Sequence, residues 1–190
     1  MEKGKTYKKI IDCAGKLFAQ RGYFGVSLNQ IAQEVGITKP ALYYYFESKE
    51  ALYLAVLEQT FSSLLKTLQK AASRADTPLA KIFNVIEAYL VFTLERPEVT
   101  LLAQDWEKES NFAKFTRQAR QQLVQFLKTL INALGKGAQV SEEKLTLLIS
   151  FFLEIVRWPF LLALTTPKKL AEEIIRLFFP NIIPQQEGKF

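Results

Sequence analysis

The sequence predicts an all-α protein, and two observations support this. Apolar residues recur at helical spacing along most of the 190-residue chain, and no run alternates apolar and polar residues as a strand would. Glycines and prolines fall between these apolar segments, where they would end one helix or begin the next. Hydrophobic residues make up 49% of the composition, which suits one ordinary domain or a small domain joined to a larger one.

The first helix is predicted from its apolar stripe and its end. An amphipathic helix is expected over about 5–21, and Gly22 would end it. A short connector follows the glycine. Its two aromatic residues, Tyr23 and Phe24, are expected to fill the core of this small region.

A second and a third short helix follow, joined through a glycine. Ser27 and Gln30 form a capping-box pattern that begins the second helix, and Gly36 would end it in the left-handed conformation. Thr38 is a suitable N-cap for the third helix, where Pro40 occupies the first turn without losing a hydrogen bond. Two short helices that cross at such a turn are the helix-turn-helix arrangement, in which one helix can lie against DNA.

The remaining helices are longer and are predicted from their starts. Ser48 would cap a helix that runs to about Ser73. Proline and serine residues mark the later starts. Further helices are expected over 78–95, 98–109, 111–134, 141–163 and 167–179.

The third helix carries side chains suited to DNA. It presents Lys39 and three adjacent tyrosines, Tyr43, Tyr44 and Tyr45, whose hydroxyls can bond phosphate oxygens or base edges. A helix of this size fits the major groove, where base edges can be read. The alternative is a plain helical hairpin in which the aromatic residues pack as core. The net charge of +6 permits a polyanionic partner without requiring one.

One longer stretch favours the DNA-binding interpretation. Residues from about 10 to 56 include KLFAQRGYFGVSLNQIAQEVGITKPALYYYFESKEALYLAV and resemble the DNA-binding region of TetR-family transcriptional regulators. The shared features are an aliphatic residue and Phe before the glycine-aromatic turn, the IA…GI core, and ALYYYF-x-SK-x-x-L. The chain differs at the residue before Phe46, which is often histidine in the family and here is Tyr45.

The resemblance implies a DNA-binding surface with contacts to both bases and backbone. Its expected members are Lys39, Pro40 and Tyr43 near the bases; Ser27, Tyr44 and Lys49 at phosphates; Thr38 and Ala41 at the groove; Asn29 at a base or the backbone; and Tyr45, which can still reach a phosphate. A phosphate contact would weaken binding to every DNA sequence when it is removed, whereas a base contact would also carry specificity.

The resemblance also implies the organisation of the chain. A helix-turn-helix DNA-binding domain is expected over 1–50 and an effector-binding and dimerisation domain over 51–190. In the family the last two long helices pair with those of a second copy as a four-helix bundle. The expected homodimer interface therefore comprises about 141–163 and 167–179.

An effector pocket is expected in the second domain. Pockets between helices are mostly apolar with a few polar groups. We predict Trp106, Phe112, Phe152 and Trp158 as lining residues, although simple core packing is the alternative for each of them. The aromatic content suggests a small hydrophobic effector, either fatty-acyl or aromatic.

Other classes of protein are disfavoured by the composition. The chain has no histidine and one cysteine, Cys13, so the usual catalytic and metal-binding sets are missing, and we expect no enzyme activity, cofactor or metal. The apolar run 145–164 is long enough to span a membrane, but Glu154 and Arg157 within it argue against this. These two residues would instead form a buried or interfacial ion pair, bind the ligand, or set the register of the dimer interface. A single cysteine suits a cytoplasmic protein.

The sequence thus predicts a homodimeric DNA-binding regulator. Its simplest form is a ligand-responsive repressor that releases a palindromic operator when the effector binds. An interaction module or membrane-surface protein that uses its aromatic helices is the alternative.

Overall fold

A computed structural model describes residues 3–103, 110–135, 141–155 and 164–180, and the chain is all-α over these ranges, as predicted. The helices, in chain order, are α1 (Lys3–Arg21), α2 (Leu28–Val35), α3 (Lys39–Tyr45), α4 (Lys49–Ala72), α5 (Pro78–Glu95), a 3₁₀ helix (Pro97–Ala103), α6 (Asn111–Asn132), α7 (Glu142–Glu154) and α8 (Pro167–Phe178). Most predicted ends agree to within about two residues, which is the usual uncertainty of helix ends.

The helix predicted over 98–109 is the exception. The chain forms a 3₁₀ helix there, Pro97–Ala103, and residues 104–109 lie outside the described ranges. The N–H of Val99 donates to the carbonyl three residues back, at 3.0 Å, and the hydroxyl of Thr100 donates to the Pro97 carbonyl at 2.7 Å. The N–H bond spans three residues, which is the pairing of a 3₁₀ helix. Residues 156–163 of the helix predicted over 141–163 also lie outside the described ranges.

The chain forms two compact units. The N-terminal unit comprises Met1–Ser63 and Arg96–Ala119, and the C-terminal unit comprises Leu64–Glu95 and Arg120–Phe190. Each of α4 and α6 therefore contributes residues to both units. The sequence predicts a boundary at residue 50 between a DNA-binding domain and an effector-binding domain. That boundary is defined by where the ligands bind, so it stays a prediction.

The core of the N-terminal unit is built on α1. Phe18 and Leu42 are fully buried in it, as is Tyr53 of α4. Gly15 allows close packing, since a Cβ there would lie 3.4 Å from side-chain atoms of both Val56 and Glu98. This core fixes α2 and α3 against α1.

The core of the C-terminal unit is built on α5, which packs against α8. Ile86 and Leu90 of α5 are buried, as are Ala171 and Ile175 of α8. Within the described part of the chain, no helix has the length and apolar character needed to cross a membrane.

Candidate nucleic-acid interface

The α2–α3 pair is held by the caps that the sequence predicts. The hydroxyl oxygen of Ser27 accepts from the Gln30 N–H at 3.2 Å, and the Gln30 side-chain oxygen accepts from the Ser27 N–H at 2.8 Å, so the capping box is complete. Gly36 ends α2 at a φ of 77°, a conformation that costs glycine little. Thr38 Oγ1 accepts from the Ala41 N–H at 3.3 Å and begins α3. The caps satisfy backbone donors that would otherwise be unpaired at the helix ends.

The three adjacent tyrosines of α3 occupy different environments. The side chains of Tyr43 and Tyr44 are 45% and 63% exposed. Tyr45 is half-buried against the core and lies edge-on to Tyr44, with 5.3 Å between ring centroids. Leu42 is buried, because it lies on the inner face of the helix. Tyr43 and Tyr44 can therefore meet a ligand with little rearrangement, whereas Tyr45 serves the core as well.

Lys39 and Tyr43 form a pair on the surface of α3. They are four residues apart, so they lie on one face of the helix. The Lys39 ammonium is 5.8 Å from the centroid of the Tyr43 ring, within the range of a cation–π contact. The predicted groove residues between them differ: Pro40 is exposed and Ala41 is half-buried. This face presents a positive charge next to an aromatic hydroxyl.

The start of each neighbouring helix adds polar groups. Ser27 and Asn29 are exposed at the start of α2, although the Ser27 hydroxyl also serves its cap. Ser48 Oγ accepts from the Ala51 N–H at 3.0 Å and begins α4, whose first residue is Lys49. Lys49 is half-buried, and burial lowers the pKa of its ammonium. Helix starts of this kind suit phosphate groups.

Two contacts next to this surface were not predicted. The Lys9 ammonium donates to the carbonyl of Val35 at 2.8 Å, which ties α1 to the end of α2. The Lys49 ammonium lies 4.3 Å from the centroid of the Tyr23 ring. Sequence spacing does not reveal either contact, because each joins residues that are 26 positions apart.

One expectation for the connector is wrong. Tyr23 packs against Phe18 and Tyr53 as predicted, but Phe24 is 88% exposed. Tyr23 already occupies the available space, since its ring also contacts Phe112. Phe24 is left on the outside, edge-on to Tyr23 at 5.2 Å.

Two of the predicted effector-lining residues, Phe112 and Phe152, lie within the described part of the chain, and they belong to different units. Phe152 lines a cavity in the C-terminal unit, whereas Phe112 lies in the N-terminal unit and contacts Tyr23 and Tyr53. Trp106 and Trp158 lie outside the described residues. The cavity has room for about one water molecule, and all of its lining is apolar. The lining consists of Ile82, Val85, Ile86, Leu127, Leu130, Ile131, Leu148 and Phe152.

A tyrosine next to this cavity has charged neighbours. Tyr89 is buried and its ring centroid is 4.5 Å from that of Phe152. Burial raises the pKa of Tyr89, the Glu154 carboxylate raises it further, and Arg120 opposes both effects. Glu154 therefore acts on a residue of its own unit, while Arg157 lies outside the described residues.

The fold and this surface define the class of protein: an all-α chain whose exposed, capped helix-turn-helix precedes a larger helical unit. Residues 10–56 match the family model described as "Bacterial regulatory proteins, tetR family". The match supports the family resemblance that the sequence of this region predicted.

Two relatives extend the comparison. An uncharacterized HTH-type transcriptional regulator of Bacillus subtilis, YuxN, is 32% identical over 178 residues, which are 88% of this chain and 60% of that protein. The HTH-type transcriptional regulator RutR of Escherichia coli K12 is 41% identical over 95 residues, which are 50% of this chain and 44% of RutR. The chain thus spans less than two thirds of the length of both relatives.

A solved structure shares the fold. The crystal structure of AibR in complex with isovaleryl coenzyme A and operator DNA matches with a TM-score of 0.76. The match covers 93% of this chain and 100% of that chain at 19% identity. At this identity the likeness shows the fold alone.

Proposed function

We propose that this chain is a DNA-binding transcriptional regulator that reads its operator with α3. The observation that carries the proposal is the exposed face of α3. Lys39, Pro40, Tyr43 and Tyr44 are all exposed there, while Leu42 anchors the helix to the core. Side chains on the outer face of a short, rigidly capped helix can enter the major groove without unfolding anything.

The proposed contacts are of two kinds. Lys39 and Tyr43 read bases, with Pro40, Thr38 and Ala41 at the groove wall. Phosphates are bound by Ser27, Tyr44 and Lys49, with Asn29 and Tyr45 as further contacts. Base contacts give specificity, and phosphate contacts give salt-dependent affinity to any sequence.

The proposed effector is a small hydrophobic compound that binds in the C-terminal unit. The apolar cavity lined by Phe152 supports this, because an acyl chain or an aromatic ring would find no unpaired polar group there. AibR, which shares the fold, was solved with isovaleryl coenzyme A. Because the cavity has room for about one water molecule, effector binding must widen it.

The proposed working form is a homodimer paired through α7, α8 and the residues around them. Leu147 of α7 and Leu177 of α8 are 62% and 72% exposed, so a second copy could cover both side chains. Two α3 helices would then read a palindromic operator at centres about 34 Å apart, or a multiple of this distance.

The proposed response is repression that the effector relieves. Effector binding would favour a spacing of the two α3 helices that does not fit the operator, with the change carried through α4. Such coupling amounts to about 1–3 kcal/mol in typical allosteric proteins. We place this regulator in the cytoplasm and assign it no catalytic activity.

The test is binding to the DNA upstream of the chain's own gene. Fluorescence anisotropy of labelled duplexes should give salt-sensitive binding that a shuffled duplex of the same length does not match. Native mass spectrometry of the purified protein should show a copurified ligand, whose addition weakens binding. Equal affinity for the shuffled and genuine duplexes would contradict the proposal.

A further inference from the structure

Lys49 and Tyr23 meet although they belong to different parts of the N-terminal unit. Lys49 is the first residue of α4, and Tyr23 lies in the turn after α1. The Lys49 ammonium is 4.3 Å from the centroid of the Tyr23 ring, well inside the distance at which a cation is attracted to an aromatic face. Lysine side chains on a surface are otherwise mobile and strongly hydrated.

The Tyr23 ring is held firmly by its neighbours. It lies edge-on to Tyr53 at 5.0 Å and to Phe112 at 5.1 Å, and it stacks on Phe18 at 6.0 Å between centroids. Tyr53 and Phe18 are themselves fully buried. The ring is therefore a fixed support, and the lysine is the partner that adjusts to it.

The acidic neighbour of Lys49 is held by another residue. The Glu50 carboxylate accepts a hydrogen bond from the Asn111 side-chain amide at 2.9 Å. It is close enough to Tyr23 to contribute to the raised pKa of that tyrosine, after the larger effect of burial. The bond to Asn111 restrains the carboxylate while the ammonium of Lys49 lies over the ring.

We propose that Tyr23 is a positioning residue that holds Lys49 ready for its phosphate contact. This rests on the proposed function, because it assumes that Lys49 binds a phosphate. An ammonium has three N–H donors, and the ring takes only one side of it. The remaining donors can reach a phosphate oxygen while the cation stays over the ring. Fixing the side chain in advance reduces the ordering cost that DNA binding would otherwise carry.

The test compares variants of Tyr23 in the full chain. Tyr23→Leu removes the aromatic face, and Tyr23→Phe keeps it. Tyr7→Leu is the matched control, since it makes the comparable change in the same unit at a ring that packs on Phe46. We expect Tyr23→Leu to weaken binding to the labelled promoter duplex roughly 3–10-fold for every sequence tested, and Tyr23→Phe to stay within about twofold.

A double-mutant comparison separates positioning from general stability. Lys49→Ala should lower the salt slope of binding by about one ion, and Tyr23→Leu should then cause no further loss in the Lys49→Ala background. A merely structural role predicts the same loss in both backgrounds. Three outcomes would overturn the proposal. Tyr23→Leu could cause the same loss in both backgrounds, Tyr23→Leu could gain affinity, or Tyr23→Phe could lose as much affinity as Tyr23→Leu.

A measurement without DNA keeps this test separate from the proposed function. The ring should shift the NMR signals of the Lys49 ε-methylene in the free protein, and the shift should persist in Tyr23→Phe and vanish in Tyr23→Leu. If Tyr23→Leu does not fold, Tyr23→Met serves, because methionine fits irregular space. If both Tyr23→Leu and Lys39→Ala leave DNA binding unchanged, the proposed function is wrong. An unchanged ring shift in the leucine or methionine variant contradicts the positioning proposal by itself.

Discussion

The N-terminal and C-terminal units differ in where their candidate functional groups lie. In the N-terminal unit most of the proposed DNA contacts are exposed side chains of α2, α3 and their N-caps. In the C-terminal unit the proposed effector site is a small apolar cavity inside the packing. An exposed helix face can act by binding as it stands, whereas an apolar cavity with room for about one water molecule must widen before it can hold an effector. The N-terminal unit is therefore suited to bind DNA, and the C-terminal unit is suited to respond to the proposed effector.

The largest expected effect comes from breaking the proposed dimer in the C-terminal unit. Leu147→Glu and Leu177→Glu together place charges on exposed leucines of α7 and α8 and should give a monomer in sedimentation velocity. Affinity for the operator should then fall by about 10²–10⁴-fold, because the two half-sites are no longer bound as one linked event.

The control for the dimer test is Leu94→Glu, which charges an exposed leucine on α5. It should leave both the oligomeric state and the affinity unchanged. A dimer that persists in the double variant would place the interface elsewhere.

The next effect tests the N-terminal unit through its exposed α3 face. Lys39→Ala or Tyr43→Ala should weaken operator binding by about 1–3 kcal/mol, or roughly 5–150-fold, and should flatten the preference for operator over shuffled DNA. Thermal unfolding should change little, since both side chains are exposed. Full operator affinity in both variants would show that this face does not read bases.

The contrast between an exposed helix face and an internal cavity also explains how much of each unit the sequence predicts. Ser27, Gln30, Gly36 and Thr38 lie close together in the sequence, so the local rules of capping predict their roles correctly. The surface of α3 then follows from helical periodicity. Local rules do not predict the exposure of Phe24, because it depends on Tyr23 packing in the core.

The cavity could not be predicted in the same way. Its lining brings together α5, α6 and α7, from Ile82 to Phe152, and no local pattern records which of their apolar faces meet. Composition drew attention to the aromatic residues, yet the cavity is mostly aliphatic. Phe112 packs in the other unit altogether. A pocket lining depends on tertiary packing, which a single sequence encodes only indirectly.

A third variant should lose the response to the effector while it keeps operator binding. Leu130→Phe adds bulk to a residue that lines the cavity, at a cost of roughly 1–3 kcal/mol in the free energy of unfolding. The variant should bind the operator as the natural chain does but lose most of the roughly 5–150-fold weakening that the copurified ligand causes.

Leu134→Phe is the control for this change, since Leu134 is a half-buried leucine of the same unit that does not line the cavity. It should keep the response to the ligand. If Leu130→Phe responds fully, the effector binds at another site.

The smallest effect concerns pH and the charge on Lys49. Burial lowers the pKa of its ammonium in the free protein, and a bound phosphate would raise that pKa again. Between these two values the protein takes up a proton on binding, so operator affinity should fall as pH rises, by less than about tenfold for one contact. The decline should begin at lower pH in the natural chain than in Lys49→Arg, whose guanidinium stays charged.

The stability of the fold responds to the same pKa with the opposite sign. Because the pKa of Lys49 is lower in the folded than in the unfolded chain, the unfolded chain binds more protons in this window, and the Lys49 contribution to folding stability rises with pH. Loss of DNA affinity without loss of stability therefore identifies the charge as the cause. Anisotropy titrations and urea unfolding over the same pH series measure both quantities. An equal decline in Lys49→Arg would assign the pH dependence to groups other than Lys49.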